Sequence, residues 1–255
     1  MAVLKDLYCD KLRICVFDTR LNMGLQAGRD ASRAIRAALE EKEYVNVMFA
    51  AAPSQNETLE TLANEPIDWT RVNAFHMDEY VGLDAEHPAG FRNFLRRALF
   101  DRKPFHEVHL LNGNAPDAQA EARRYDALLR SHPLDVCLLG IGENGHIAFN
   151  DPPVADFNDP DYVKIVELEQ RCRMQQVHDG CFDRIEDVPT HALSVTIPGL
   201  MQAKVMFCSV PAATKREAVT RLVNGGIATD CPCTIMRTHA AATLYVDADS
   251  GAGIL

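Results

Sequence analysis

His146 and Asp151 lie five residues apart in Leu138-Leu139-Gly140-Ile141-Gly142-Glu143-Asn144-Gly145-His146-Ile147-Ala148-Phe149-Asn150-Asp151-Pro152, so one short segment delivers an imidazole and a carboxylate. That pairing suits proton transfer, because imidazole gives and accepts protons near neutral pH. Gly140, Gly142 and Gly145 let the backbone turn tightly and approach a ligand, and Pro152 and Pro153 oppose continuation as helix. The letters Gly140-x-Gly142-x-x-Gly145 also match the dinucleotide fingerprint. That fingerprint needs a helix opening at its third glycine, and His146-Ile147-Ala148-Phe149-Asn150-Asp151 has no helical period, so nucleotide binding is not read here. A second acidic segment follows Val72-Asn73-Ala74-Phe75-His76-Met77, where Asp78 leads Asp78-Glu79-Tyr80-Val81-Gly82-Leu83. An aspartate at a strand exit among apolar residues is a candidate general base with a pKa adjustable by burial; taken alone, the segment favours a turn or cap residue, as most loop aspartates are.

The elements that must position these groups alternate. Helices are predicted over 22–41, 56–64, 90–100, 117–131, 169–179 and 213–224. Strands are predicted over 45–50, 71–76, 108–111, 134–140, 162–167, 191–197, 204–209, 233–237 and 242–247. Alternation of this kind implies an α/β, Rossmann-like, open and mostly parallel sheet with helices on both faces. Ligands of such sheets bind beyond the carboxyl ends of the strands, and adjacent parallel strands would bring Asp78, His146 and Asp151 to one rim. No linker, repeat or low-complexity stretch divides the 255 residues, so residues 1–255 read as a single domain.

With 26 basic and 36 acidic side chains the formal charge is −10, which argues against nucleic acid or an anionic membrane as partner. Any phosphate must be met by local donors. The eight cysteines are scattered; Cys231-Pro232-Cys233 has neither zinc nor thioredoxin spacing, and no metal is expected. The N-terminus lacks the apolar core of a signal peptide and no run of eighteen apolar residues occurs, so a cytoplasmic protein is expected.

Taken together, Asp78-Glu79-Tyr80-Val81-Gly82-Leu83 and the loop from Gly140 to Pro152 resemble the two signature loops of the glucosamine-6-phosphate deaminase/isomerase family. Leu110-Leu111-Asn112-Gly113-Asn114-Ala115-Pro116 and Asp187-Val188-Pro189-Thr190-His191-Ala192-Leu193-Ser194-Val195-Thr196 are similar to further family segments in the same order, so the resemblance spans about residues 30–247. It implies aldose–ketose isomerisation of an amino-sugar 6-phosphate with loss of ammonia, no cofactor, a small sugar phosphate as partner, and leaves a homo-oligomer open. Asp78 then matches the carboxylate that moves a proton between C2 and C1. His146 matches the histidine that opens the pyranose ring, with Asp151 in place of the usual glutamate that orients it and Asn144 at a position held by asparagine or aspartate. Being one methylene shorter, Asp151 must approach the histidine differently or act through water.

The resemblance also places the phosphate. Ala51-Ala52-Pro53-Ser54-Gln55-Asn56 replaces the family's glycine-threonine turn, with Ser54 and Gln55 as donors beside Gly142; Lys215 matches the phosphate lysine, and Arg173, in altered register beside Arg171, stands nearest the phosphate arginine. The acidic Asp156-Phe157-Asn158-Asp159-Pro160-Asp161, and a chain stopping at Leu255, lead to no expected allosteric site. The same residues leave three alternatives: a galactosamine-6-phosphate or other sugar-phosphate isomerase, a 6-phosphogluconolactonase-like hydrolase, and a non-catalytic sugar-phosphate sensor.

Overall fold

Side chains along the central strands alternate between two apolar layers, and that alternation decides the architecture. In β3 (Val45–Phe49), Val45, Val47 and Phe49 enter one core while Met48 enters the other; in β7 (Val136–Leu139), Val136 and Leu138 oppose Cys137 and Leu139 in the same way. A strand buried on both faces needs helices on both faces. The computed structural model, which describes residues 2–255, supplies them. Helices α1 (Arg20–Glu41), α2 (Asn56–Ala63), α3 (Phe91–Ala98) and α5 (Gln170–His178) contribute to one core, and α4 (Ala118–Ser131), α6 (Ile197–Met201) and α7 (Arg216–Asn224) to the other.

The main sheet has eight strands. With β1 (Val3–Cys9), β2 (Leu12–Phe17), β4 (Val72–His76), β6 (Glu107–His109), β10 (Val205–Val210) and β11 (Ala242–Asp247), its order is β1-β2-β11-β10-β7-β3-β4-β6. Every pairing is parallel except β1 with β2. A smaller antiparallel sheet sets β9 (His191–Val195) between β5 (Asp78–Tyr80) and β8 (Val163–Glu167).

The open α/β sheet with helices on both faces is as expected from the alternation. Several details differ, β5 and α6 among them having no expected counterpart. Strands β4 and β7 are not neighbours, since β3 lies between them, yet both end at the same rim. The β1–β2 hairpin was not visible in the sequence pattern because β1 is exposed along most of its length and shows no apolar alternation. Residues 233–237 form no strand: Pro232–Thr238 is a tight helical turn, begun by a proline and closed by Thr234, whose N–H donates to the Cys231 carbonyl at 3.0 Å and whose hydroxyl donates to it at 2.7 Å. No helix among the described residues is long and apolar enough to cross a membrane.

Candidate active site

The histidine loop leaves β7 at Leu139 and closes on itself. Gly142 N–H donates to the His146 carbonyl at 2.9 Å, and Gly145 N–H to the Gly142 carbonyl at 3.0 Å. Gly145 has φ +88°, a left-handed conformation that side chains disfavour. Gly142 lies under the imidazole, where a Cβ would stand 2.1 Å from His146 Cε1, so glycine there is what admits the ring. Beyond the histidine the loop is fixed to β9: Phe149 N–H donates to Ser194 Oγ at 3.0 Å, and Asn150 Nδ2 to the Val195 carbonyl at 2.8 Å. Strand β9 also pairs with β5, Asp78 opposite Ser194. One strand therefore fixes both acid-bearing segments.

His146 Nδ1 lies 2.7 Å from Asn144 Oδ1 and 2.9 Å from Asp151 Oδ1. Both partners present acceptor oxygens, so the proton resides on Nδ1 and Nε2 remains the basic nitrogen. Asp151 is fully buried, and its carboxylate also accepts Asn144 Nδ2 at 2.9 Å and Glu169 N–H at 3.0 Å. Burial pushes its pKa up, but the His146 charge and these hydrogen bonds outweigh burial and hold it below the ordinary aspartate value. The shorter acid thus contacts the imidazole directly, without a bridging water.

Buried Cys172 of α5 stands beside this pair: ligating atoms of His146, Asp151 and Cys172 lie within 4.8 Å of one another, the one such trio among the described residues with a spacing that could hold a metal ion. Asp151→Glu, which restores the family's usual acid, is expected to overpack this pocket and cost about 1–3 kcal/mol, read as a lower Tm. Adding Cys172→Ala should recover most of the loss; no recovery would mean that Cys172 does not limit the space.

Asp78 is reached by a different route. The chain leaves β4 at His76, crosses at Met77 and enters β5, which turns the Asp78 side chain into a small open cavity of about 60 Å³. Its carboxyl is 7% exposed and accepts no hydrogen bond from any described residue. Burial, with the neighbouring Glu79 charge second, raises its pKa well above the carboxylate range. Glu79 has the opposite role: its carboxylate accepts the N–H groups of Tyr80, Phe91 and Arg92 at 3.0–3.1 Å and holds the start of α3.

The same cavity is lined by His146, Gly142, Ser54, Gln55, Gln176 and Lys215. Lys215 is 5% exposed and has no carboxylate within 4.0 Å among the described residues. Burial lowers its pKa, partly opposed by Asp179 and Glu143. It is carried in by a tight turn before α7 that opens at Ala212, φ +81°. A buried cation with no partner marks a place for an anion. Gln55 spends its amide on the Ser209 carbonyl and Ser54 Oγ, both at 3.1 Å, which pins the 51–56 turn to β10 and leaves the Ser54 hydroxyl free to donate.

Of the residues expected from sequence, Asp78, His146, Gly142, Ser54, Gln55 and Lys215 line the cavity, and Asn144 and Asp151 hold the imidazole from behind. Arg173 is not brought to it. Its guanidinium donates to the Ile185 and Val188 carbonyls at 2.7 and 2.8 Å, while Arg171 pairs with Glu217 on the surface at 2.6 Å. Sequence reasoning missed Gln176, which is 6% exposed and lines the cavity without a hydrogen bond to any described side chain. The signal was the spacing Cys172, Gln175, Gln176 on α5, an i, i+3, i+4 face that carries amides where a surface helix buries hydrocarbon.

A family described as glucosamine-6-phosphate isomerases/6-phosphogluconolactonase matches residues 19–245. A glucosamine-6-phosphate deaminase of Exiguobacterium is 40% identical over 222 residues, 87% of this chain and 85% of the relative. One of Bacillus cereus is 35% identical over 218 residues, 86% of this chain and 81% of the relative. A solved monomeric glucosamine-6-phosphate deaminase superposes with TM-score 0.86 at 27% identity, covering 94% of this chain and 99% of its own. The 6-phosphogluconolactonase of Thermotoga maritima shares the fold, with TM-score 0.74 at 19% identity over 93% of this chain and all of its own.

Proposed function

This chain belongs to the glucosamine-6-phosphate isomerase/6-phosphogluconolactonase family, and from that premise we propose that it is an enzyme converting an amino-sugar 6-phosphate to a ketose phosphate and ammonia, as glucosamine-6-phosphate deaminases do. The observation that carries the reading is an unpartnered carboxyl, Asp78, and an Nδ1-protonated imidazole, His146, opening into one cavity with an unpaired lysine. His146 Nε2 passes a proton between the anomeric hydroxyl and the ring oxygen, which opens the pyranose. Asp78 then removes the C2 proton to give an enolamine and returns it to C1; hydrolysis of the resulting C2 iminium releases ammonia. A carboxyl with a raised pKa suits both halves of that transfer, because it holds the proton long enough to give it back.

Lys215 and the Ser54 hydroxyl bind the phosphate in this reading, with Gln176 a further donor. We take residues 1–255 as one domain acting in the cytoplasm on a small sugar phosphate, with any self-association to be read by light scattering. Because Lys215 is the one lysine or arginine lining the cavity among the described residues, Lys215→Ala is expected to remove about 1.5–3 kcal/mol of binding. That is roughly a 10- to 150-fold rise in KM for the phosphorylated sugar. An unphosphorylated sugar should lose nothing; equal losses on both would remove Lys215 from phosphate binding.

The decisive experiment measures ammonia release from the 6-phosphates of both C4 epimers, beside hydrolysis of 6-phosphogluconolactone. Hydrolysis without ammonia would make the protein a lactonase. A ligand-induced rise in Tm without turnover would make it a sensor.

A further inference from the structure

The anion end of the cavity holds one full positive charge. Among the described residues that line it, Lys215 is the only lysine or arginine, and its companions Ser54, Gln55, Gln175 and Gln176 are neutral. The arginines of α5, the one that follows Lys215 and the one in the adjoining hollow are all turned to other partners. Arg171 pairs with Glu217 at 2.6 Å, Arg173 donates to the Ile185 and Val188 carbonyls, Arg216 to the Asp249 carbonyl at 3.0 Å, and Arg97 to the Pro88 carbonyl at 2.9 Å. Two acids face the lysine, Asp179 just after α5 and Glu143 in the histidine loop, together with the Cys172 thiol. Gln175 holds both acids in place: its Oε1 accepts the Glu143 N–H at 2.8 Å, and its Nε2 donates to Asp179 at 3.3 Å. Glu143 also meets His178 at 3.3 Å.

This charge balance sets what the site accepts. A phosphate monoester carries about −1.5 to −2 charges near neutral pH, its second proton leaving at about pH 6. Lys215 compensates the first of those charges. The second would stand in a buried place with no cation to meet it and two carboxylates facing it, where uncompensated charge is costly. Amides and hydroxyls donate to either form, so they hold the group without choosing its charge.

We infer that the anion end is a site for a monoanionic ester: the cavity takes an amino sugar carrying a sulfate monoester at C6 as ligand and substrate, and takes the 6-phosphate in its singly charged form. A sulfate monoester is a strong acid and carries one charge at every working pH. The bonds made and broken in the proposed reaction lie at the anomeric centre, C1 and C2. Exchanging phosphate for sulfate at C6 therefore leaves ring opening, proton transfer and loss of ammonia as they are. The inference rests on the amino-sugar reading of the same site and adds to it the charge of the group that anchors the sugar.

Binding is measured by calorimetry in the Asp78→Asn variant, which removes turnover and the titration of Asp78, with glucosamine 6-phosphate, glucosamine 6-sulfate and glucosamine as ligands. The sulfate keeps its charge throughout, so its Kd reports the titration of His146, His178, Glu143, Asp179 and Lys215. The ratio of phosphate to sulfate Kd then isolates the charge of the ligand. Expected is a sulfate bound at least as tightly as the phosphate at about pH 7.5, and a ratio that falls roughly 20-fold by about pH 5.5 as the phosphate gains its proton. The parent protein should also release ammonia from the sulfate. Gln176→Arg, which adds a second cation, should shift the ratio at the higher pH toward phosphate about tenfold. Glu143→Gln, which removes a facing acid, should shift it in the same direction if the arginine is not tolerated. A sulfate bound more weakly than the phosphate at the higher pH, or a ratio that does not fall on acidification, overturns the monoanion and leaves the deaminase reading standing. Ammonia from the phosphate alone, despite binding of both, overturns the sulfate as substrate. Ammonia from neither ester, with the expected binding, supports the monoanion and counts only against the deaminase reading. Esters that bind no better than glucosamine overturn the anion end itself.

Discussion

Asp78→Asn is expected to lower kcat about a hundred- to ten-thousand-fold while leaving KM for the sugar phosphate near its parental value. The amide keeps the shape of the carboxyl and loses the base, and no described residue hydrogen-bonds the group it replaces. Exchange of the substrate's C2 proton with deuterated water measures the step itself, and unchanged exchange in the variant would remove Asp78 from it. The same substitution predicts two pH effects. In the parent, burial and then the Glu79 charge raise the Asp78 pKa, so the acid limb of kcat/KM should lie above the ordinary carboxylate range, with activity falling as pH drops through that pKa. For stability the direction reverses. The folded state binds the Asp78 proton more tightly than the unfolded chain does, so this residue's contribution declines as pH rises from the unfolded pKa to the folded one. Asp78→Asn removes that decline, and its Tm advantage over the parent should grow across that window and persist above it.

The candidate groups were legible because they are local. Asp78 sits inside one segment, and His146, Asp151 and Asn144 inside another, and short-range glycine and proline signals placed both at strand exits. Sequence could not show what brings the two segments together, since β9 grips both through main-chain pairing and Ser194 Oγ, and a serine in an apolar strand looks like any other. Nor could it show whether the shorter Asp151 touches the histidine; that depends on how the loop folds back to bring the two within 2.9 Å. Arg173 was misplaced for a related reason. Its register on α5 points it at the carbonyls of Ile185 and Val188, and the resemblance gives residue order without helical phase. Residues 233–237 were expected as a strand, against the proline at 232 that starts a turn.

His146→Gln should separate ring opening from isomerisation. Glutamine keeps a hydrogen-bonding amide near Asn144 and Asp151 but does not titrate, so a pyranose held closed loses its proton relay while an open-chain substrate does not need one. The expected loss on the cyclic sugar is about a hundred- to ten-thousand-fold, with the open-chain analogue turned over near the parental rate. Asp151→Asn is the companion. It removes the charge that opposes the imidazole at 2.9 Å and leaves the ring free to present the wrong nitrogen, so it should slow the cyclic substrate in the same direction by a smaller factor. Acting on one relay, the two substitutions should combine non-additively, the double variant being no slower than His146→Gln alone. Equal slowing of cyclic and open-chain substrates by His146→Gln would put the histidine in the C2-to-C1 proton transfer or in maintaining the loop, and Asp78 would then have to share its role.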